Sequence, residues 1–117
     1  MNKLKVLKID NDVIEFDNKV KLYSEHITDC CEDHELTLSD LTIADFDGLE
    51  FNLANDNFFK RIEGYGIELI PIKGHSVRIP GHGYNDGYYS DNLNLIIEKD
   101  GKVFKRYDIT ECQDISD

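Results

Sequence analysis

The sequence predicts an α+β protein built mainly from one antiparallel β-sheet, with one or two short helices. Three observations lead to this prediction: apolar and polar residues alternate along most of the chain, short turn motifs join the alternating runs, and one segment favours a helix. The chain has 117 residues and no linker or repeat. We therefore expect a single domain over residues 1–117, long enough to bury a hydrophobic core.

The first part of the chain predicts a β-hairpin followed by a further strand. Residues 4–9 and 13–16 alternate as strands do, residues 17–18 form a turn, and residues 20–24 form the returning strand. The alternation resumes over residues 34–38. This pattern indicates a sheet with one buried face.

Helical structure is expected at two places. Residues 39–40 or Thr42 are suited to cap a short helical turn. The stronger candidate is a helix over residues 58–63, because Asn55 precedes it as a capping residue and Gly64 follows it as a stop.

The second half of the chain predicts a strand, a long loop and another hairpin. Residues 67–72 read as a strand, and residues 73–90 as a loop rich in glycine, histidine and tyrosine. The glycines of this loop lack the strand-to-helix setting of a phosphate-binding loop, which excludes that interpretation. Residues 92–98 and 102–109 flank the turn Lys99-Asp100-Gly101 and predict the second hairpin.

One short segment concentrates soft metal ligands. Residues 26–34, His-Ile-Thr-Asp-Cys-Cys-Glu-Asp-His, hold two of the three cysteines and two of the four histidines. Thiolate and imidazole are the ligands that zinc prefers in proteins, and a structural zinc takes four of them. We therefore predict one zinc-stabilised domain, whose expected ligands are His26, Cys30, Cys31 and His34, with Cys112 as the distant ligand.

Several arrangements of these ligands stay open. In a helical turn His26, Cys30 and His34 share one face, whereas in an extended segment Cys30 and Cys31 point to opposite sides. The cysteines are adjacent, unlike the paired ligands separated by two residues in familiar zinc motifs. Alternatively the cysteines are small buried residues, or Cys112 forms a disulfide with one of them. The odd cysteine count favours a reduced set.

Composition excludes several classes of protein. No long apolar run is present, so we expect neither a membrane span nor a signal peptide, and we expect a cytoplasmic protein. The formal net charge is -11, and residues 10–56 carry 14 acidic against 2 basic side chains. Direct binding to nucleic acid is disfavoured, because contacts to phosphate need clustered lysine and arginine.

The acidic segment instead predicts a protein partner with a basic surface. Opposite charge accelerates the encounter of such surfaces, while a general gain in solubility is the alternative explanation. The side chains that we expect to contact the partner are Asp10, Asp12, Asp45 and Asp47.

Two motifs resemble those of a family of short uncharacterised domains common in phages and prophage regions. The first is residues 23–32, with a histidine three residues before Asp-Cys-Cys-Glu, and the second is residues 85–91, which contain Gly-Tyr-Tyr-Ser. The chain departs from the family by the extra Asp86 and by Asp91 in place of glutamate. The resemblance leaves the first twenty residues and Cys112 without a counterpart.

The chain also resembles zinc-containing anti-CRISPR proteins directed at type II RNA-guided nucleases. This resemblance implies a phage protein that binds such a nuclease in the bacterial host cell, blocks the loading of target DNA and uses its zinc for structure. Two alternatives stay open. One is an interaction module without a defence role.

The other alternative is a small zinc-dependent hydrolase. It would use three zinc ligands, Glu32 or Asp33 as general base, and residues of the 73–90 loop. The deaminase signature is absent, and no catalytic triad can be recognised from spacing. We therefore expect no enzymatic activity.

Overall fold

The computed structural model describes residues 1–26, 33–84 and 92–116. Most of this part of the chain lies in β-strands. In chain order these are β1 (Val6–Asp10), β2 (Val13–Phe16), β3 (Val20–Glu25), β4 (Asp33–Leu36), β5 (Phe59–Ile62), β6 (Gly66–Leu69), β7 (Val77–Tyr84), β8 (Asn94–Lys99), β9 (Lys102–Asp108) and β10 (Asp114–Ser116).

The first sheet has the order β1-β2-β3-β8-β9 and is antiparallel throughout. Two of its hairpins are closed by two-residue turns. Asn11 and Asp12 have φ of 50° and 61°, and Asp100 and Gly101 have φ of 53° and 82°. Such left-handed pairs match the twist of the flanking strands, and Asn, Asp and Gly are the residues that adopt them at low cost.

The second sheet is organised around β7. The first half of β7 pairs with β6, which pairs with β5, and the second half pairs with β4; all of these pairs are antiparallel. The same second half also pairs with β10 in a parallel arrangement. The segment Gly81–Tyr84 therefore lies between β4 and β10, which are the first and the last strand of the second sheet in chain order.

One hydrophobic cluster joins the two sheets. It contains Ile14, Leu22 and Leu95 from the first sheet together with Leu69 and Ile79 from the second, all buried. Burial of a side chain of this size stabilises a fold by about 1.5–3 kcal/mol. This shared core fits the predicted single domain.

The predicted mainly antiparallel β-structure is confirmed, but the strands form two sheets and not one. The only helical elements among the described residues are two short 3₁₀ turns, so the protein is β-rich and the predicted α+β class is wrong in its helical part. The helix predicted over residues 58–63 is absent. A 3₁₀ turn, Asp56–Phe58, is followed directly by β5. Asn55 caps this turn by accepting from the Asn57 amide. Six residues give a helix little stability of its own, so the pairing of Phe59 with Leu69 across β5 and β6 decides the outcome.

The short helical turn expected near Thr42 is present as a 3₁₀ helix over Ile43–Phe46. Thr42 and Asp45 form its capping box. The predicted 73–90 loop is wrong over Val77–Tyr84, which is β7, and its residues 85–90 lie outside the described part. No helix among the described residues has the length and apolar composition required to cross a bilayer.

Candidate metal centre at the histidine pair

The fold brings two of the predicted ligands side by side. His26 follows the last residue of β3, and His34 is the second residue of β4. Their ring centroids are 4.5 Å apart, with the rings inclined at 59°. Cys30 and Cys31, also predicted as ligands, lie outside the described residues.

The hydrogen bond of His34 to Gln113 identifies its tautomer. The Nδ1 atom of His34 lies 2.7 Å from Oε1 of Gln113, and the Nε2 atom of Gln113 donates to the Thr110 carbonyl oxygen at 2.9 Å. This second bond orients the amide so that its oxygen faces the ring. Because an amide oxygen can only accept, Nδ1 of His34 is the donor and, in the neutral ring, Nε2 carries the lone pair.

That lone pair is buried. His34 is only 4% exposed, and its Nε2 atom has no hydrogen-bond partner among the described residues. A buried polar atom without a partner costs about 1–3 kcal/mol. A metal ion is one group that would satisfy an imidazole nitrogen in this tautomer.

His26 has the same tautomer. Its Nδ1 atom forms a hydrogen bond with the carbonyl oxygen of Asn92, and since a carbonyl oxygen only accepts, Nδ1 is the donor. In proteins, a histidine that binds a metal through one nitrogen almost always donates from the other nitrogen to an oxygen. Both histidines of the pair show this feature.

A glycine in β7 makes room for the contact between His34 and Gln113. Gly83 pairs with His34 of β4 on one side and with Ile115 of β10 on the other. A Cβ atom at this position would overlap the His34 ring and would lie 2.6 Å from Oε1 of Gln113. Residue 83 must therefore lack a side chain for His34 to reach across β7 to Gln113.

Cys112, the predicted distant ligand, is a buried thiol that is not in a disulfide. Burial raises its pKa, and the nearby Glu111 adds to this rise, while the backbone of Ile62 opposes it. Within residues 1–26, 33–84 and 92–116, no group of three or more His, Cys, Asp or Glu side chains is placed to hold a metal. The structure therefore does not group Cys112 with the two histidines, and its role as a ligand stays a prediction.

Among the described residues, the two histidines that a hydrolase would recruit are not grouped with the histidine pair. His75 is exposed, and its Nε2 atom is 3.2 Å from the carbonyl oxygen of Asp45. His82 is exposed on β7, beside the buried Gly83 that contacts His34. Successive side chains of a strand point to opposite faces, so His82 points away from the histidine pair. Glu32 lies outside the described residues.

The four predicted partner-binding carboxylates fall on two turns. Asp10 is the last residue of β1 and Asp12 lies in the β1–β2 turn, and both are exposed. Asp45 and Asp47 belong to the 3₁₀ helix and its C-terminal cap. Asp45 has a structural role, because its carboxylate accepts a hydrogen bond of 2.8 Å from the Thr42 amide.

The acidic segment 10–56 is distributed over both sheets and does not form a single strand or loop. Basic side chains of the first sheet lie among its carboxylates: Lys8 is 3.8 Å from Asp10 and 3.3 Å from Glu15. These pairs are exposed, and exposed pairs typically contribute only about 0–1 kcal/mol. Asp12, in the β1–β2 turn, is exposed and forms no such pair with the described residues.

Sequence reasoning missed the residues that surround the histidine pair. Gln113 and Asn92 are far from residues 26–34 in the chain and belong to no recognisable motif. Gly83 lies within the loop predicted over residues 73–90, where nothing in the sequence distinguishes it from the other glycines. The signal that identifies them is cross-strand pairing, which the sequence does not display.

Comparison with known proteins finds no matching family model, no similar curated protein and no similar solved structure. The phage-family and anti-CRISPR resemblances therefore stay predictions.

Proposed function

We propose that this chain is a stoichiometric binding protein directed at a positively charged surface of another protein. The proposed partner is a type II RNA-guided nuclease, which holds nucleic acid in a positively charged channel. Occupying that channel would block the loading of target DNA, and the site of action would be the cytoplasm of a bacterial host. The resemblance to anti-CRISPR proteins supports the choice of partner.

The observation that carries the proposal is a set of exposed carboxylates without local neutralisation. Asp12 and Asp47 are exposed, and in the described part of the chain neither lies within ion-pair distance of a lysine or arginine. The chain as a whole carries 24 acidic against 13 basic side chains. Such a charge distribution attracts basic surfaces and accelerates association with them.

We further propose that a zinc ion bound by His26 and His34 stabilises the fold. The buried Nε2 atom of His34 supports this part of the proposal, since zinc would supply the partner that the atom lacks. Cys30, Cys31 and Cys112 remain the sequence-based choices for the other ligands. The 4% exposure of His34 favours a structural site over one open to substrate.

The charge-based part is tested by neutralising the unpaired carboxylates. The double variant Asp12→Asn/Asp47→Asn should slow association with a Cas9-type nuclease by up to roughly tenfold, because it removes steering charge. Asp12 has a left-handed φ of 61°, which asparagine also adopts, so the fold should be retained. Association rates are measured by surface plasmon resonance across a panel of type II nucleases at two salt concentrations.

The matched control is Glu63→Gln/Asp100→Asn, which removes the same charge from exposed positions outside segment 10–56. Its effect on association should be smaller. Inhibition of DNA cleavage should saturate near one protein per nuclease. Inactivation far below that ratio, or association that is insensitive to salt and to both double variants, would overturn the proposal.

A further inference from the structure

We infer that Gln113 is a positioning residue of the metal centre and couples metal binding to the C-terminal strand. This inference rests on the zinc site within the proposed function and adds to it a residue outside the predicted ligand set. Gln113 holds the Nδ1 proton of His34, which directs the lone pair of Nε2 toward the metal.

Gln113 is held in place next to the C-terminal strand. It is buried, with 4% exposure, and immediately precedes β10, which starts at Asp114. Its amide nitrogen is anchored to the Thr110 carbonyl at 2.9 Å. The oxygen is therefore presented to His34 in a fixed orientation, and the imidazole cannot exchange its two nitrogens without losing this bond.

The two ring nitrogens of His34 differ in their hydrogen bonding. In a buried neutral histidine, the stable tautomer is the one in which the N–H faces an acceptor and the lone pair of the other nitrogen faces a donor. In His34 the Nδ1–H donates to Gln113, whereas Nε2 has no partner among the described residues. A bound cation would complete this arrangement.

The contact between His34 and Gln113 connects two strands of the second sheet. His34 belongs to β4 and Gln113 leads into β10, while both strands pair with the same half of β7. The hydrogen bond from His34 to Gln113 crosses β7 above Gly83. A metal that holds His34 consequently also holds the beginning of β10, a strand of three residues.

The test compares two substitutions that separate positioning from packing. Gln113→Glu keeps an oxygen that accepts from His34, whereas Gln113→Met keeps the length of the side chain but has no such oxygen. Both variants lose the amide donation to Thr110. If Gln113 acts only through Thr110 and packing, the two variants will behave alike.

We expect Gln113→Met to weaken zinc binding by about 10–100-fold, the usual effect of losing an outer-shell partner. Gln113→Glu should bind zinc as tightly as the natural chain or more tightly, because a carboxylate makes the imidazole a stronger ligand. Zinc affinity is measured by competition with a chromophoric chelator. The absorption spectrum of the cobalt-substituted protein checks that the ligand geometry is retained in Gln113→Glu.

Nitrogen NMR of the protein as isolated supplies a readout that is independent of affinity. The natural chain should show the proton of His34 on Nδ1, and Gln113→Met should lose this preference. Equal zinc affinities in all three proteins, equal losses in both variants, or a proton on Nε2 in the natural chain would overturn the inference and leave the zinc site standing. Failure of the natural chain to bind zinc would overturn both.

Discussion

The first sheet and the part of the second sheet formed by β4, β7 and β10 are built in different ways. In the first sheet, most neighbouring strands are also neighbours in the sequence and are joined by short turns. Around β7, the strands come from distant parts of the chain, and one of the two pairings is parallel. Long-range pairing costs more chain entropy, so this second region depends more on specific contacts.

The two regions also differ in how their polar groups are satisfied. On the first sheet, the Tyr23 hydroxyl donates to Glu98 at 2.8 Å, and the Lys8–Glu15 pair is exposed to solvent. Beside β7, His34 is buried with one nitrogen lacking a described partner. These polar groups of the first sheet are satisfied by other side chains or by solvent. The second region, in contrast, contains a buried nitrogen that a bound ligand would satisfy.

Edge protection is a further property of the first sheet. Its edge strand β9 carries basic side chains and is irregular where it pairs with Ile97 and Glu98 of β8. A bulge and charged residues hinder pairing of an edge with another chain. Val103 and Phe104 are exposed on this edge. The bulge and the charged residues therefore hinder the addition of a strand from another chain there.

The largest expected effect is the response to metal removal. A strong chelator should lower the free energy of unfolding by about 2.7 kcal/mol relative to protein at a free zinc concentration of a hundred times Kd. Hydrogen exchange followed by mass spectrometry should show increased exchange in β4 and β10, with a smaller increase in β8. Equal increases in both sheets would contradict the comparison, and unchanged stability would contradict zinc binding itself.

An intermediate effect is expected from Gly83→Ala. The added methyl group overlaps the His34 ring and the side chain of Gln113, so we expect a loss of roughly 1–3 kcal/mol, as for other overpacked sites, together with weaker zinc binding. The measurements are urea denaturation and zinc titration. The control is Gly101→Ala in the β8–β9 turn, where a Cβ meets no neighbour.

Gly101 has a φ of 82°, so alanine should cost about 1–2 kcal/mol through backbone strain alone. Zinc binding should be unaffected by this control. If the two glycine variants weakened zinc binding equally, the close approach at Gly83 would have no special role in the metal centre.

The smallest expected effect concerns the first sheet at high pH. Burial, the hydrogen bond to Glu98 and nearby negative charge raise the pKa of Tyr23 to about 12, from an ordinary value near 10. The fold therefore favours the neutral phenol. The contribution of the neutral Tyr23 side chain to the free energy of unfolding is complete below about pH 10 and is lost as the pH rises through about 12.

Tyr23→Phe should flatten this loss of stability, measured by denaturation at several alkaline pH values. Tyr65→Phe, at an exposed tyrosine of the β5–β6 connection, is the matched control and should leave the contribution of Tyr23 in place. Zinc binding below pH 10 should not change in either variant. A Tyr23→Phe protein with the same alkaline slope as the natural chain would contradict the assigned pKa.

Several local elements of this protein follow from the amino-acid sequence. Val13–Phe16 forms the predicted strand, Asp100-Gly101 forms the predicted turn, and Thr42 caps the predicted short helix. These features depend on side-chain alternation and on backbone preferences of single residues, which act within a few positions of the chain.

The strand pairing and the histidine site depend on contacts between distant parts of the chain. Residues 58–63 have the capping Asn55 before them and Gly64 after them, but Phe59 and Ile62 favour strands, and both pair with β6 in the sheet. The segment around Gly83 resembles a loop in sequence, yet its glycines allow β4 and β10 to contact each other across β7. The contact between His34 and Gln113 joins residues 79 positions apart. Such contacts are set by the packing of the whole chain, and no local pattern encodes them.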